Sequence, residues 1–476
     1  APIMRIGIVT LGCDKNTVDN EYLAGLLDEA GCEALAIDPA APPAGLDAAV
    51  VTTCGFIDRA RAQSVEAIVE LAEAKKATGN PRRLLVAGCL SQRHGEELMR
   101  EIPEIDGLVG VGQFTRLAEM ILASDERARQ WIELNHEPGV DIYRLMKRKP
   151  LDRAPHAFLK IGDGCNHGCT FCSIPLMKGK LRSVAPEILL EEARGLLARG
   201  VKEINLVAQD LSMYGMDRWE NYRLPNLIRD LAALEGDFWI RCLYYYPGLV
   251  TDEFLEVLAG EPKVVKYLDM PLQHLDPGVL RRMKRPFHEV KTFKLIERMR
   301  EKAPGLVLRT TMIVGFPGET QAEHRAMLEG IRALRFERLG AFPYSAEAGT
   351  PAGIMGEPVP EKVRQARWHA VMRAQQPIAE AHSRGRVGER TRGLVEGYDS
   401  QRGAWVGRSA AEAPEIDGKV LLESDKPLAI GSFVEAEIIE GRPYDVSGRL
   451  RAETTLPGSF QSPEPIHSIQ SEGIGG

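Results

Sequence analysis

The chain has 476 residues, 44% of them hydrophobic and 27% charged, a balance that belongs to globular proteins and excludes a disordered or fibrous chain. At this length about three domains of ordinary size are expected, each able to bury a core of its own. Sixty basic against 67 acidic residues give a net charge of -7, which supplies no global attraction for nucleic acid, and no apolar run approaches the roughly 20 residues of a membrane span.

The first apolar stretch, MRIGIVTLGC, is short and runs into a polar helix. It reads as a first strand rather than a secretory signal, with Ala1 and Pro2 ahead of Met4 as an extension, and a cytoplasmic protein with no membrane contact is expected. Over residues 1–140 the apolar runs IGIVTL, AAVVTT and RLLVAG alternate with the helical patterns DNEYLAGLLDEAG and SVEAIVELAEAKK, as in a doubly wound α/β domain with a parallel sheet. A polar stretch with Pro138, Pro150 and Pro155 follows, and 141–155 reads as a linker.

From residue 156 the alternation resumes with six strand candidates: AFLKI, EINLVAQ, FWIRCLYY, VVKYLDM, LVLRTTMIV and RLGAFPY. Helices such as PEILLEEARGLLARG and AEHRAMLEGIRALR lie between them, and 360–386 is a trailing helical segment. Six such units predict an open (βα)6 partial TIM barrel over 156–386 rather than a closed eightfold one. Residues 387–452 contain short strand-like runs (RGLVEGYD, AWVGRSA, KVLLESD, SFVEAEIIE) broken by Gly, Pro and Asp turns, which predicts a small β-barrel. Residues 453–476, rich in Ser, Pro, Gly and Gln, read as a disordered tail.

Eight cysteines are too few and too unevenly placed for a disulfide framework, so a metal or redox use is expected. GCNHGCTFC places Cys165, Cys169 and Cys172 within eight residues and offers no fourth thiol nearby. Zinc usually takes four protein ligands; His167 could be nominated as the fourth, but it sits between two of the cysteines, where one ion could hardly reach all four. A cubane iron–sulfur cluster has four iron corners, and three protein thiolates leave one iron free for a substrate. Cys13, Cys54 and Cys89 each stand at the carboxyl end of a predicted strand and each touch a glycine. Carboxyl ends of parallel strands share the ligand-binding edge of an open sheet, so these three distant residues converge, and the glycines admit something bulky close to the backbone. The alternative for each alone is a core thiol, which is the reading for Cys32 and Cys242.

Cys165, Cys169 and Cys172, with Phe171 before the last, match the cluster motif of the radical S-adenosylmethionine (SAM) enzymes. Together with Cys13, Cys54 and Cys89 and the β-rich C-terminal region, the chain resembles the radical SAM methylthiotransferases, which join an N-terminal cluster domain, a radical SAM domain and a TRAM domain. The resemblance covers nearly everything up to about residue 452. LGCDKNTVDNE, TTCGFIDRA and GCNHGCTFCSIPLMKGKLRS are similar to the RimO branch, which modifies an aspartate of small-subunit ribosomal protein S twelve. The tRNA-modifying branch, MiaB, would continue differently after Cys54. TLGCD departs from the SLGCP expected for RimO without touching a thiolate, and LVAQDLSMYG, YLDMPLQH and RTTMIVGFPGET fit the family as a whole.

The resemblance implies two [4Fe-4S] clusters, one on Cys165, Cys169 and Cys172 and one on Cys13, Cys54 and Cys89, with SAM as the other cofactor. The first cluster would cleave SAM to a 5'-deoxyadenosyl radical; the second would carry an added sulfur that another SAM methylates before its transfer. Both must then face one cavity. Phe171 either packs on the adenine or shields the cluster. Glu203, Gln209, Asp210, Gln273 and Arg309 are the candidate SAM contacts at barrel strand ends, each alternatively a structurally paired residue. The turn VGFPGET could approach the cofactor but is a weak signal alone. Implied partners are protein S twelve as substrate, an unidentified electron donor and a sulfur source, with nucleic acid not expected as a direct substrate.

Between Glu389 and Glu453 nine basic residues face thirteen acidic ones, a poor RNA surface but a plausible partner for a basic ribosomal protein. Trp405, Phe433 and Tyr444 either fill the small barrel or form a contact patch. Two other readings stay open: the same chemistry on a tRNA adenosine beside the anticodon, and a non-catalytic zinc or RNA-binding assembly factor, which colourless protein would reveal.

Overall fold

The computed structural model describes residues 3–123, 131–134, 147–285, 289–356 and 358–451. Its N-terminal part runs β1 (Arg5–Thr10), α1 (Asp14–Glu29), β2 (Glu33–Ala36), β3 (Ala48–Thr53), α2 (Asp58–Thr78), β4 (Arg83–Gly88), α3 (Cys89–Glu101), β5 (Gly107–Val109), α4 (Phe114–Leu122) and β6 (Trp131–Glu133). The six strands are parallel in the order β2-β1-β3-β4-β5-β6. Every residue of β3 and β4 is buried, which is why AAVVTT and RLLVAG carry so few polar groups: helices cover both faces. Ile6, Ile8, Val50 and Leu85 face α1 and α4, while Val9, Val51, Leu84 and Val86 face α2 and α3.

The central part adds β7 (His156–Lys160), a two-residue hairpin of β8 (Gly162–Asp163) and β9 (Arg182–Ser183) with α5 (Ile174–Lys178) between its strands, α6 (Pro186–Ala198), β10 (Glu203–Val207), α7 (Leu224–Ala232), β11 (Trp239–Cys242), α8 (Asp252–Gly260) and β12 (Val264–Asp269). It ends with α9 (Pro277–Arg282), α10 (Glu289–Lys302), β13 (Val307–Val314), α11 (Gln321–Leu334), β14 (Arg338–Pro343) and α12 (Glu361–Gly385). The six long strands are parallel in the order β14-β13-β12-β11-β10-β7, and the two ends of the sheet do not pair, so the barrel is open. All six match the strands predicted from sequence. On β13 the period of two is clear: Leu308, Thr310, Met312 and Val314 are buried, while Arg309, Thr311 and Ile313 are half-buried and line the barrel interior.

The C-terminal strands β15 (Arg390–Asp399), β16 (Ala404–Arg408), β17 (Val420–Glu423), β18 (Phe433–Gly441) and β19 (Val446–Leu450) close a barrel in the order β15-β16-β17-β19-β18. Its core holds Trp405 with Val395, Leu422 and Ile438; Phe433 packs instead on Trp239, 4.7 Å between ring centroids, and Tyr444 is exposed.

This barrel seats on the amino ends of the central strands. Glu203, the first residue of β10, is fully buried between Arg241 and Arg408, each 2.6 Å away. Although burial pushes its carboxyl up, Arg408 and Arg241 hold it down at about 2. That corrects its expected role as a SAM contact: Glu203 stands at the wrong end of its strand, and both its oxygens are taken by arginines. Glu412 repeats the device with Arg338 at 3.0 Å and Arg386 at 2.5 Å. The segment between β16 and β17 runs up into the open barrel, where Asp417 accepts a hydrogen bond from the Tyr267 hydroxyl at 2.6 Å.

The N-terminal sheet docks on the other side. Arg93 of α3 donates to Glu347, just beyond β14, at 2.7 Å, and to the Gly55 carbonyl at 3.1 Å; Arg61 of α2 also pairs with Glu347. Among the described residues no helix is long and apolar enough to cross a membrane. The expected tail at 453–476, Pro138, and residues 141–146 of the expected linker lie outside the described residues.

Candidate active site

Three adjacent strands of the N-terminal sheet each end in a cysteine. Cys13 follows β1 and caps the start of α1, Cys54 follows β3, and Cys89 follows β4 as the first residue of α3. Cys13 is exposed, Cys54 half-buried and Cys89 buried. Two of the three sit at helix N-termini, where the backbone favours negative charge. The loops interlock closely: Gly12 has φ +94°, and a Cβ there would lie 2.7 Å from the Cys54 Cβ, while one on Gly55 would meet the Cys89 carbonyl carbon at 3.0 Å. Burial pushes the Cys54 thiol up to about 12, and the neighbouring Cys13 and Cys89 add to the rise. Burial likewise pushes Cys89 up to about 11, opposed by Lys178. Buried thiols that mutually oppose ionisation become thiolates when a cationic centre binds them.

The second triad lies in the loop that the β8–β9 hairpin closes. Cys165 N–H donates to the Gly179 carbonyl at 3.1 Å, Leu181 N–H donates to Asn166 at 3.0 Å, and Cys172 N–H donates to the Cys169 carbonyl at 3.2 Å. Thr170 fastens the loop to the end of α9, donating from Oγ1 to the Arg282 carbonyl at 2.8 Å. His167 bonds through Nε2 to Asp210 at 2.6 Å and stacks on Tyr246, 3.7 Å between centroids. Arg285 lies over the same tyrosine at 4.3 Å, with its Nη1 3.6 Å from the Cys169 sulfur. Burial pushes Cys165 up to about 11 and Cys172 up to about 12.

Helix α5 joins the two triads. It begins two residues after Cys172, and its Ile174 and Met177 pack against Cys89 and Val111. Its last residue, Lys178, is buried 3.3 Å from Asp163, which also accepts a hydrogen bond from Gln209 at 3.0 Å and lies 3.8 Å from Lys160. Among the described residues no three His, Cys, Asp or Glu side chains gather as the ligands of one metal ion do. A cubane presents a separate iron to each thiolate, so neither triad needs to converge on a point. The donor set fits such a cluster on both counts, three thiols and no carboxylate or imidazole among them.

A cavity of about 350 Å³ opens between the three parts of the chain. Cys13, Asp14 and Cys54 form one wall, Phe171, Tyr244, Asp269, Gln273 and Arg309 a second, and Pro414, Glu415 and Ile416 a third. Five of the residues predicted for the site, Cys13, Cys54, Phe171, Gln273 and Arg309, thus meet at one space. Gln209 and Asp210 instead support the cysteine loop from behind. Tyr244, Gln273 and Glu415 carry positive φ values of 65°, 74° and 67°, and such strain in residues other than glycine gathers at ligand sites. Sequence reasoning missed Tyr244, Tyr246, Asp269, Arg285 and Glu415. Asp269 ends β12 and the two tyrosines follow β11, so the strand-end rule applied to every strand would have found them; the sequence carries no signal for Arg285 or Glu415.

Residues 159–331 match the family model of the radical SAM superfamily, 5–110 that of an uncharacterized protein family, UPF0004, and 387–450 that of the TRAM domain. Ribosomal protein uS12 methylthiotransferase RimO of Desulforudis audaxviator is 43% identical over 459 residues, covering 96% of this chain and 99% of its own. RimO of Anaeromyxobacter sp. is also 43% identical, with 96% of both chains covered. The chain belongs to the RimO family of radical SAM methylthiotransferases. As a radical SAM enzyme this RimO-family chain uses SAM and a [4Fe-4S] cluster. The fold agrees with the solved radical SAM methyltransferase TsrM from Kitasatospora setae, at a TM-score of 0.54 and 16% identity over 74% of this chain and 75% of that one.

Proposed function

We propose that this enzyme adds a methylthio group to the β-carbon of an aspartate of uS12, the small-subunit protein S twelve, using two [4Fe-4S] clusters. The observation that carries the reading is the single cavity walled by Cys13 and Cys54 on one side and Phe171 on the other, with α5 binding Cys89 to the second triad. Cys165, Cys169 and Cys172 would hold the cluster that supplies reductive cleavage of SAM, and Cys13, Cys54 and Cys89 the cluster that supplies the transferred sulfur. The protein's share is placement. His167, stacked on Tyr246 and bonded to Asp210, fixes the orientation of the cysteine loop; Gln209 steadies Asp163 beside Lys178; Phe171 and Gln273 border the space SAM would enter. The three-part wall bounds the space in which the transfer would take place. Electrons and sulfur come from a separate donor and a separate source, and the setting is the cytoplasm. We place the functional divisions at 1–140, 156–386 and 387–452.

The surface of the C-terminal barrel favours a basic protein over RNA, though less than its composition suggests. Of its acidic residues Glu396 and Glu412 are spent on internal arginines, leaving seven exposed acidic side chains against five exposed basic ones. The test is mass spectrometry of a uS12 loop peptide incubated anaerobically with reconstituted enzyme, SAM, sulfide and reductant, beside a tube of unmodified tRNA. Gain of one methylthio group on the peptide aspartate supports the reading; modification of the tRNA alone overturns the substrate and leaves the chemistry.

A further inference from the structure

Arg309 is the one basic side chain among the described residues that line the cavity, where Asp14, Asp269, Glu347 and Glu415 are the acids. Three of those acids are engaged elsewhere: Asp14 pairs with Lys15 at 2.8 Å, Glu347 with Arg61 and Arg93, and Glu415 lies 4.0 Å from His156. Arg309 and Asp269 are different. The Arg309 Nε and the Asp269 Oδ1 are both buried, and neither has a hydrogen-bond partner. A guanidinium carries five donors in a planar fork and stays charged in a protein, so a buried Nε left without a partner at the cavity wall is costly unless a ligand completes the fork. Although burial disfavours the cation, Asp269 and Asp417 hold Arg309 above its ordinary value, so it is a permanent positive charge. The neighbouring strand leaves room beside it, since Gly340 has no side chain and a Cβ there would stand 3.5 Å from Nη2.

We propose that Arg309 is a specificity residue that receives the carboxylate of the target aspartate in its guanidinium fork. The inference rests on the aspartate reading of the substrate. Charge and planarity match a carboxylate bidentately, and an asparagine amide at the same place would set an N–H against the fork. A carboxylate could also come from the methionine part of SAM. The position favours the substrate: Arg309 stands opposite Asp269 in sheet register and shares the cavity wall with Tyr244, whose ring lies under Lys15 of α1 at 3.5 Å, while Tyr267, two residues before Asp269, is bonded to Asp417. The guanidinium beside the second triad is that of Arg285 instead, its Nη1 3.6 Å from the Cys169 sulfur. Arg309 therefore stands on the side of the cavity where the sulfur would be delivered, between the cysteines of the N-terminal sheet and the segment entering from the C-terminal barrel.

The experiment compares wild type, Arg309→Gln and Arg309→Lys on two uS12 loop peptides that differ only in aspartate or asparagine at the target. Iron content and thermal unfolding establish that the variants are folded and loaded, and equilibrium dialysis of SAM and anisotropy of labelled peptide are read separately. The wild type is expected to favour the aspartate peptide on the order of 100-fold in kcat/KM, the worth of a charged hydrogen-bonded pair. Arg309→Gln should bring that preference close to 1, weaken binding of the aspartate peptide and leave SAM affinity within about 2-fold of wild type, while Arg309→Lys recovers part of the preference. A wild-type preference retained in Arg309→Gln overturns the proposal and leaves the substrate reading intact. Loss of SAM affinity with peptide affinity unchanged also overturns it and makes the SAM carboxylate the ligand. Failure of the wild type on the aspartate peptide overturns the substrate reading itself.

Discussion

A buried thiol resists ionisation until a cationic centre binds it, so a cysteine beside other cysteines and a cysteine alone in a core answer differently to removal. Cys54 lies on the cavity wall beside the Cys13 and Cys89 thiols, whereas Cys242 is fully buried in the barrel core. Replacing Cys54 by alanine should lower iron from near eight atoms per chain to near four by the count of two cubanes, and Cys242→Ala should leave iron unchanged while lowering the melting temperature. Iron assay of the purified proteins decides both; equal iron in wild type and Cys54→Ala would mean that the N-terminal triad holds no cluster. Gly12→Ala is a subtler version of the same test. It forces a side chain into φ +94° and sets a Cβ 2.7 Å from that of Cys54, so the N-terminal cluster should be lost or labile while the other stays. Half the iron released to a chelator much faster than in wild type is the expected result. The cysteines are legible in the sequence because a thiol beside a glycine at a strand's end has few structural explanations. Glu203 misleads because EINLVAQ has a polar residue at each end, and the pattern of one strand does not say which end faces the ligand. Arg309 is selected by the strand-end rule, yet it is the third residue of an eight-residue strand and reaches the cavity through the inward phase of the alternation.

At the scale of elements, the cysteine loop depends on a hairpin of only two residues per strand. Gly164, with φ +79°, sits where a Cβ would come within 2.1 Å of the Lys180 carbonyl oxygen, so Gly164→Ala cannot be relieved by a rotamer change and must open the hairpin. The expected outcome is a protein that keeps its helical circular dichroism but loses the absorbance of the cluster on Cys165, Cys169 and Cys172 and all SAM cleavage; intact SAM cleavage would show that the hairpin is dispensable. Long, strongly patterned elements are readable from sequence for a simple reason: β3, β4 and the six barrel strands are buried on both faces or alternate with amphipathic helices. The three-residue β5 and β6 and the closing strand β19 are not. VSGRL has the composition of a turn, and what makes it a strand is pairing with β17 and β18 on either side, a tertiary cause with no local trace.

For the whole molecule, the issue is what holds the C-terminal barrel in place, since its segment 414–416 forms part of the cavity wall. The seat is polar: Glu203 answers two arginines and Glu412 two more, all buried. Breaking one member of such a group leaves buried charge without its counterpart, so Glu203→Gln should cost about 3–5 kcal/mol. The pH dependence follows from the direction of the shift. A carboxyl held at about 2 against an ordinary 4.5 contributes stability that is fully present above 4.5 and is lost only as pH falls toward 2; Glu412, also held at about 2, behaves alike. The gap in urea midpoint between wild type and Glu203→Gln should therefore be flat from pH 6 to about 9. A gap that changes with pH in that range would mean that another group supplies the seat. Because the cavity loses a wall when the barrel loosens, Glu203→Gln should also impair transfer to the peptide more than it impairs SAM cleavage, since the loop of Cys165, Cys169 and Cys172 is fastened to α9 and Asp210 and touches nothing on the C-terminal barrel in the bonds that anchor it. Equal loss of both activities would place the effect in the central barrel, and unchanged transfer would show that residues 414–416 are a bystander to the chemistry.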